Sequence, residues 1–221
     1  DVEQHWGAQV QIAVMTPERV ESAGNFTPLP AWSTIKVPLA VAALRNDPSL
    51  STVALSAIAV SDNEAAERLW ESLGGAEAAA EAVEKALRES GDTTTRVNPQ
   101  VTRPGFTAFG QTVWPLEAQV GFAQYLSSAP GVAEAEVRSA MEQIAPTQAY
   151  GIGQLPGSHF KGGWGPEPTG PYLVRQFGFV DGQALAIATI AADGTYEGGQ
   201  WVLNDAVEKL GAYIDMNGTV E

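Results

Sequence analysis

Three short clusters in this sequence combine hydroxyls, amines and an amide at spacings that could carry covalent chemistry. The first is Ser33-Thr34-Ile35-Lys36. A serine hydroxyl is a weak nucleophile until a neighbouring base takes its proton, and an amine three residues on lies on the same face of a helix. Placed at a helix N-terminus, Ser33 would also meet free N–H groups and a dipole that favour developing negative charge. For Lys36 to be the base its pKa must fall, through burial or a second cation close by. The same residues fit an ordinary N-cap followed by a surface lysine, and the spacing recurs at Ser158-His159-Phe160-Lys161. Context separates the two, because Ser33 opens an apolar helix whereas Ser158 leads into Gly162-Gly163.

The second cluster is Ser61-Asp62-Asn63, a hydroxyl and an amide on one tight turn, able to shuttle a proton and hold a carbonyl. It also satisfies a capping box, Ser61-x-x-Glu64 ahead of Ala65-Ala66-Leu69-Trp70, and a capped turn is itself a rigid platform for polar groups. The third is Lys161-Gly162-Gly163-Trp164-Gly165. Glycines beside a strand let a substrate backbone approach, with Lys161 supplying positive charge; a flexible turn with a solvated lysine fits as well.

The elements around these clusters follow from periodicity. Ala8–Met15 alternates polar and apolar, and Arg19–Ser22 follows Thr16-Pro17, which predicts a hairpin. Gly24-Asn25 and the prolines at 28 and 30 break that pattern. From Ser33 the apolar residues Ile35, Val37, Leu39, Ala40, Ala43 and Leu44 have helical spacing, ending near Asn46-Asp47-Pro48. Further helices are predicted over Thr52–Ala59, from Ser61 to Gly74-Gly75, over Ala76–Glu89, Pro115–Leu126 and Val132–Ile144, and as a closing helix over Gln200–Ile214. Thr93–Leu116 has no helical periodicity and contains no Asp or Glu. A loop of that length inside a compact domain is usually functional or mobile. Tyr150–Pro156 and Gly162–Pro171 are rich in Gly and Pro, while Tyr172–Phe179 and Ala184–Ala191 read as strands joined at Asp181-Gly182. Strands at both ends with helices between imply a mixed α/β fold whose sheet unites the two ends.

Composition narrows the functions available. The 221 residues carry 12 Lys plus Arg against 26 Asp plus Glu, a formal charge of −14, and 44% of them are hydrophobic, which fits one globular unit and not an acidic tail. Basic residues are sparse and scattered, so nucleic acid is not an expected partner. No Cys is present and only two His, which removes thiol chemistry and makes a metal site unexpected; no cofactor is expected either. The longest apolar runs, Val37–Leu44 and Ala184–Ala192, are too short to span a membrane, and no basic-then-apolar leader stands at Asp1, so the chain reads as soluble.

S-x-x-K, S-D-N and a K-T-G-like motif in this order mark the penicillin-recognising serine hydrolases. The chain resembles that family from about Gln9 to Ile214, and AWSTIKVPLAVAAL with AIAVSDNEAAERLW is especially similar to the class A β-lactamase branch. The resemblance implies one β-lactamase/DD-peptidase-like α/β domain over 1–221. Its mainly antiparallel sheet, from about 1–32 and 158–221, would be flanked by helices, with a mostly helical lobe over about 33–157. It implies Ser33 as acylated nucleophile, Lys36 as general base, Ser61 as proton relay and Lys161 as electrostatic support. Asn63 would hold a substrate amide, and the N–H groups of Ser33 and Trp164, beside Gly163, would form the oxyanion hole. The implied partner is a β-lactam or cell-wall peptide, and the implied location is outside the cytoplasm after removal of a signal.

Three departures shape the expectation. Gly162 stands where the family carries a hydroxyl that helps bind a substrate carboxylate, and Arg175 is the candidate substitute. Only 28 residues separate Ser33 from Ser61, too few for the hairpin that normally rims the site, so an open cleft is expected. Efficient class A enzymes release the acyl group with a water activated by a loop Glu, whereas Thr93–Leu116 is acid-free; slow release follows unless Glu117 or a distant acid folds in. A D-alanyl-D-alanine-type peptidase and a non-catalytic envelope-binding protein are the alternatives. At −14, local positive charge at Lys36, Lys161 and Arg175 would have to offset long-range repulsion of an anionic substrate.

Overall fold

The computed structural model describes residues 1–24 and 29–217; the predicted break at Asn25 and Pro28 lies outside them. A short helix α1 (Val2–Trp6) leads into β1 (Gln9–Met15), whose alternation does place Val10 and Ala13 in opposite cores. Strand β2 (Val20–Ala23) returns antiparallel, with Ile12 opposite Ala23 and Met15 opposite Val20. Helices α2 (Lys36–Asn46), α3 (Ser51–Ala59), α4 (Asn63–Ser72), α5 (Ala76–Glu89), α6 (Leu116–Ser128) and α7 (Val132–Glu142) follow. The chain then returns through β3 (Ser158–Pro166), β4 (Tyr172–Val180) and β5 (Gln183–Ile190) to α8 (Tyr196–Asn217).

The five strands form one antiparallel sheet in the order β2-β1-β5-β4-β3, so β1 pairs with β5 and joins the two ends of the chain. The sheet separates two cores because strand side chains alternate between its faces. Ala184, Ala186 and Ala188 of β5 face the helical lobe with Phe177 and Phe179, and their small size lets α6 lie close against the sheet. Leu185 and Ile187 face the other way and pack with Val174, Val202, Leu203 and Val207 beneath α8. Helix α2 is buried from Lys36 to Leu44 and is surrounded by α3, α4, α5 and α7, the environment that a helix apolar all round requires. Each Val or Leu sequestered there contributes about 1.5–3 kcal/mol relative to an exposed position.

Two elements differ from the sequence reading in ways that matter for chemistry. Ser33 lies in a 3-10 turn, Trp32–Ile35, and the α-helix begins only at Lys36. The Gly-rich segment around Lys161 is a full nine-residue edge strand, β3, whereas composition suggested a turn. The segment between Ser33 and Ser61 contains only helices and turns, so no hairpin rims the site, as its length predicted.

Candidate active site

The end of β3, the Trp32–Ile35 turn, the start of α4 and the loop before α6 enclose a cleft of about 620 Å³. Ser33, Ser61, Asn63 and Trp164 line it, so four of the predicted residues meet at one place although more than 100 positions separate the first from the last. Lys36 and Lys161 reach it from beneath, 1% and 0% exposed respectively. Both ammonium groups converge on Ser61. Lys36 Nζ donates to Ser61 O at 2.6 Å, Asn63 Oδ1 at 2.7 Å and Ser61 Oγ at 3.4 Å. Lys161 Nζ donates to the same Ser61 Oγ at 3.1 Å and to Gly162 O at 2.9 Å. Among the described residues the Ser33 hydroxyl has no hydrogen-bond partner.

Burial of two amines around one hydroxyl sets the electrostatics. Desolvation pulls the Lys36 pKa down to about 8, against the opposing pull of the Asp62 and Glu67 carboxylates. Lys161 is pushed well below the usual lysine range, first by burial and then by the Lys36 charge. At a pKa of 8, roughly a tenth of Lys36 is neutral at pH 7, some 300-fold more than for an unperturbed lysine. The site therefore holds a buried amine with a lowered pKa in the same cleft as the Ser33 hydroxyl.

The backbone aims these groups at some cost. Trp32 has φ 49° and Ser61 φ 60°, left-handed values that bulky or polar residues adopt at an expense of about 1–3 kcal/mol each, usually at functional positions. Ser61 is not the cap of α4. That role falls to Asp62, whose carboxylate accepts from Glu64 N at 2.8 Å and Ala65 N at 3.1 Å and is held below the ordinary Asp pKa by those bonds. One residue of offset releases the Ser61 hydroxyl from capping and leaves it for the lysines.

The glycines of β3 are explained by proximity. A Cβ on Gly163 would lie 2.9 Å from Ala31 O and Ser33 N and 3.0 Å from Thr34 N, and one on Gly165 would lie 2.5 Å from the Trp32 ring. One face of β3 is thus pressed against the turn that carries Ser33, and Gly163 contacts that turn directly. Gly162 points elsewhere, toward the Tyr150 hydroxyl.

Arg175 does not serve the predicted role. It is 1% exposed, does not line the cleft, and donates to Leu29 O, Pro30 O, Trp114 O and Gln119 Oε1 at 2.7–3.1 Å. Gln119 in turn donates to Thr34 Oγ1 at 2.8 Å, beside Ser33. Arg175 is a brace behind the turn that carries Ser33; its register opposite Gly163 on β4 carries it to the buried side of that turn.

The acid-free loop forms one wall, contributing Val101, Gly105, Phe106, Thr107 and Gly110. Gln111 organises it by accepting from Thr102 Oγ1 and Arg103 N and donating to the carbonyls of Arg103, Phe106 and Thr107. Arg103 donates to Pro166 O at the end of β3 and stacks over Phe106, which packs on Trp32. Glu117 opens α6 but does not line the cleft. Two carboxylates that the sequence reading missed do line it, Glu64 and Glu67 of α4. Helical spacing was the available signal for Glu67, which stands one turn beyond Asn63 on the same face. Among the described residues no group of three or more His, Asp or Glu side chains is placed to hold a metal ion.

No protein-family model matches this sequence, and no curated protein matches it. Solved structures do. A representative class A β-lactamase from Bacteroides cellulosilyticus superposes with a TM-score of 0.74 at 17% identity over 94% of this chain and 93% of that one. The fold is that of the class A β-lactamases. The class A β-lactamase from Mycobacterium abscessus gives 0.71 at 17% identity over 96% of both chains. The chromosome-encoded β-lactamase of Vibrio parahaemolyticus gives 0.70 at 16% identity, again over 96% of both. On this class A β-lactamase fold, the cleft between sheet and helical lobe is where the three motifs meet. Among the described residues no helix is long and apolar enough to cross a membrane.

Proposed function

We propose that this protein is a β-lactamase-like serine hydrolase that forms an acyl-enzyme on Ser33. The observation that carries the reading is the convergence of two buried lysine amines on the hydroxyl of Ser61 at the floor of a cleft lined by Ser33. Burying two ammonium groups together costs several kcal/mol, and a fold keeps such an arrangement where it does work. In the proposed sequence Ser33 Oγ attacks the carbonyl of a cyclic amide, and its proton passes to neutral Lys36. The C–N bond breaks as Ser61, recharged by Lys36, gives a proton to the leaving nitrogen. Lys161 offsets negative charge on the substrate, Asn63 binds its amide, and the N–H groups of Ser33 and Trp164 hold the developing oxyanion beside Gly163, a contribution that typically exceeds the others in acyl transfer.

Release of the acyl group is the slow step in this reading, because the loop over 93–116 brings no carboxylate to the ester and any base must come from another element. A wall peptide ending in D-alanyl-D-alanine is the second substrate class, favoured by the helix-only segment between Ser33 and Ser61 that leaves the cleft open on that side. Both substrate classes lie beyond the cytoplasmic membrane, so the reading includes export. Mixing the protein with a benzylpenicillin and recording its intact mass tests the proposal. A mass increase equal to the penicillin, mapped to Ser33 and lost in Ser33→Ala, is the expected result. No adduct and no antibiotic consumed would sink the enzymatic reading and favour a non-catalytic envelope-binding protein.

A further inference from the structure

We propose that Glu67 is the general base that hydrolyses the Ser33 ester, supplying from α4 the carboxylate that the loop over 93–116 lacks; this inference rests on acylation at Ser33. An ester buried in a cleft is hydrolysed quickly only when a group that accepts a proton stands within reach of the attacking water. The carboxylates lining this cleft among the described residues are Glu64 and Glu67. Glu64 sits at the first turn of α4 and is exposed to solvent. Glu67 is half-buried and lies one helical turn beyond Asn63, whose side chain already receives Lys36 Nζ. Position and burial therefore both single out Glu67 within the same cavity as the nucleophile.

Its surroundings suit the task. Desolvation raises the Glu67 pKa above the ordinary carboxylate value, Glu71 on the next turn adds to that rise, and Lys36 from α2 opposes it. A carboxylate with a raised pKa is a stronger base. In the step itself, water oxygen bonds to the acyl carbon while one of its protons moves to the Glu67 carboxylate. The ester C–O bond then breaks, that proton passes on to Ser33 Oγ, and the product leaves as a carboxylic acid that ionises in solvent. Ser33 and Glu67 return to their starting states.

The test follows the lifetime of the penicilloyl adduct on Ser33 by intact mass after excess penicillin is removed, in wild type and in Glu67→Gln, Glu67→Asp and Glu117→Gln. Glu67→Gln keeps size and hydrogen bonding while removing the base, so the adduct should still form on Ser33 and should persist ~10²–10⁴-fold longer. Glu67→Asp retains a carboxylate one methylene shorter and should give an intermediate lifetime, a graded response that a merely structural role would not produce. Wild-type decay in Glu67→Gln, or trapping in Glu117→Gln instead, overturns the assignment while leaving acylation at Ser33 intact. Absence of adduct and of turnover in every variant, wild type included, overturns the Ser33 reading and this inference with it.

Discussion

Replacing Gly163 with alanine tests the close packing of β3 against the backbone of the turn that carries Ser33. The added Cβ would lie 2.9 Å from Ala31 O, 2.9 Å from Ser33 N and 3.0 Å from Thr34 N, where ordinary contact begins near 3.4 Å. All three are backbone atoms of the turn that carries Ser33, so no side chain can swing aside, and β3 or the turn must retreat by about 0.5 Å at once. Overpacking of this kind costs about 1–3 kcal/mol, which for a chain of this size lowers the thermal midpoint by roughly 2–12 °C. The catalytic penalty should be larger than the stability penalty. The retreat separates Ser33 N–H from Trp164 N–H, the pair proposed to hold the oxyanion, and misplacement on the scale of 1 Å costs on the order of 100-fold. Gly162→Ala is the internal comparison, since its Cβ would find only ordinary contacts at 3.5–3.9 Å. Stopped-flow acylation with a chromogenic cephalosporin, beside thermal melts of both variants, reads the two effects separately. The reasoning is refuted if Gly163→Ala acylates and melts like wild type, or if Gly162→Ala proves the more damaging change.

Two further outcomes follow from the buried cations. With Lys36 at a pKa of about 8, the acylation rate should rise with pH through that value and level off above it, read from single-turnover rates between pH 6 and 9.5. Because its folded pKa lies below the unfolded one, protonated Lys36 costs stability at every pH below about 8, and the cost fades between there and the unfolded pKa near 10.5. Lys36→Met should therefore abolish acylation yet melt higher than wild type at pH 7, by up to about 3 kcal/mol, with the advantage shrinking by pH 10. Arg175→Leu should act on the fold: losing the donor to three carbonyls and Gln119 costs on the order of 3–5 kcal/mol, seen as a lower urea midpoint. A variant that instead kept its stability and lost affinity only for anionic substrates would show that Arg175 binds the substrate carboxylate after all.

Helix positions were legible because they rest on local repeats. The apolar spacing of Ile35 to Leu44, the Ala/Glu pattern of Ala76–Glu89 and the alternation of Ala8–Met15 each bury a face in α2, α5 and β1. Fold class followed, since strands at both ends with helices between leave few ways to close one sheet. The meeting of Ser33, Ser61 and the two lysines was legible as motifs for a different reason: their types and order can be read whatever the backbone between them, and the structure brings them to one cleft. What escaped was set by contacts distant in sequence. β3 hid behind its glycines, because the residues that forbid a side chain at Gly163 belong to a turn about 130 positions earlier. Arg175 was read as a cation facing substrate, whereas its acceptors on Leu29, Pro30, Trp114 and Gln119 come together only once β4, α6 and the turn that carries Ser33 are assembled. The capping of α4 shifted from Ser61 to Asp62 because Ser61 takes a left-handed backbone.

The loop over 93–116 shows the division most plainly. Sequence alone determined that it carries no carboxylate, a fact of composition that no fold can alter. Only the tertiary structure decided that the cleft it walls has carboxylates nonetheless, because α4 also lines it, with an exposed Glu64 and a half-buried Glu67. Residue types and local periods are properties of short stretches of chain. Burial, pKa and reach belong to the surroundings that distant stretches create when they pack.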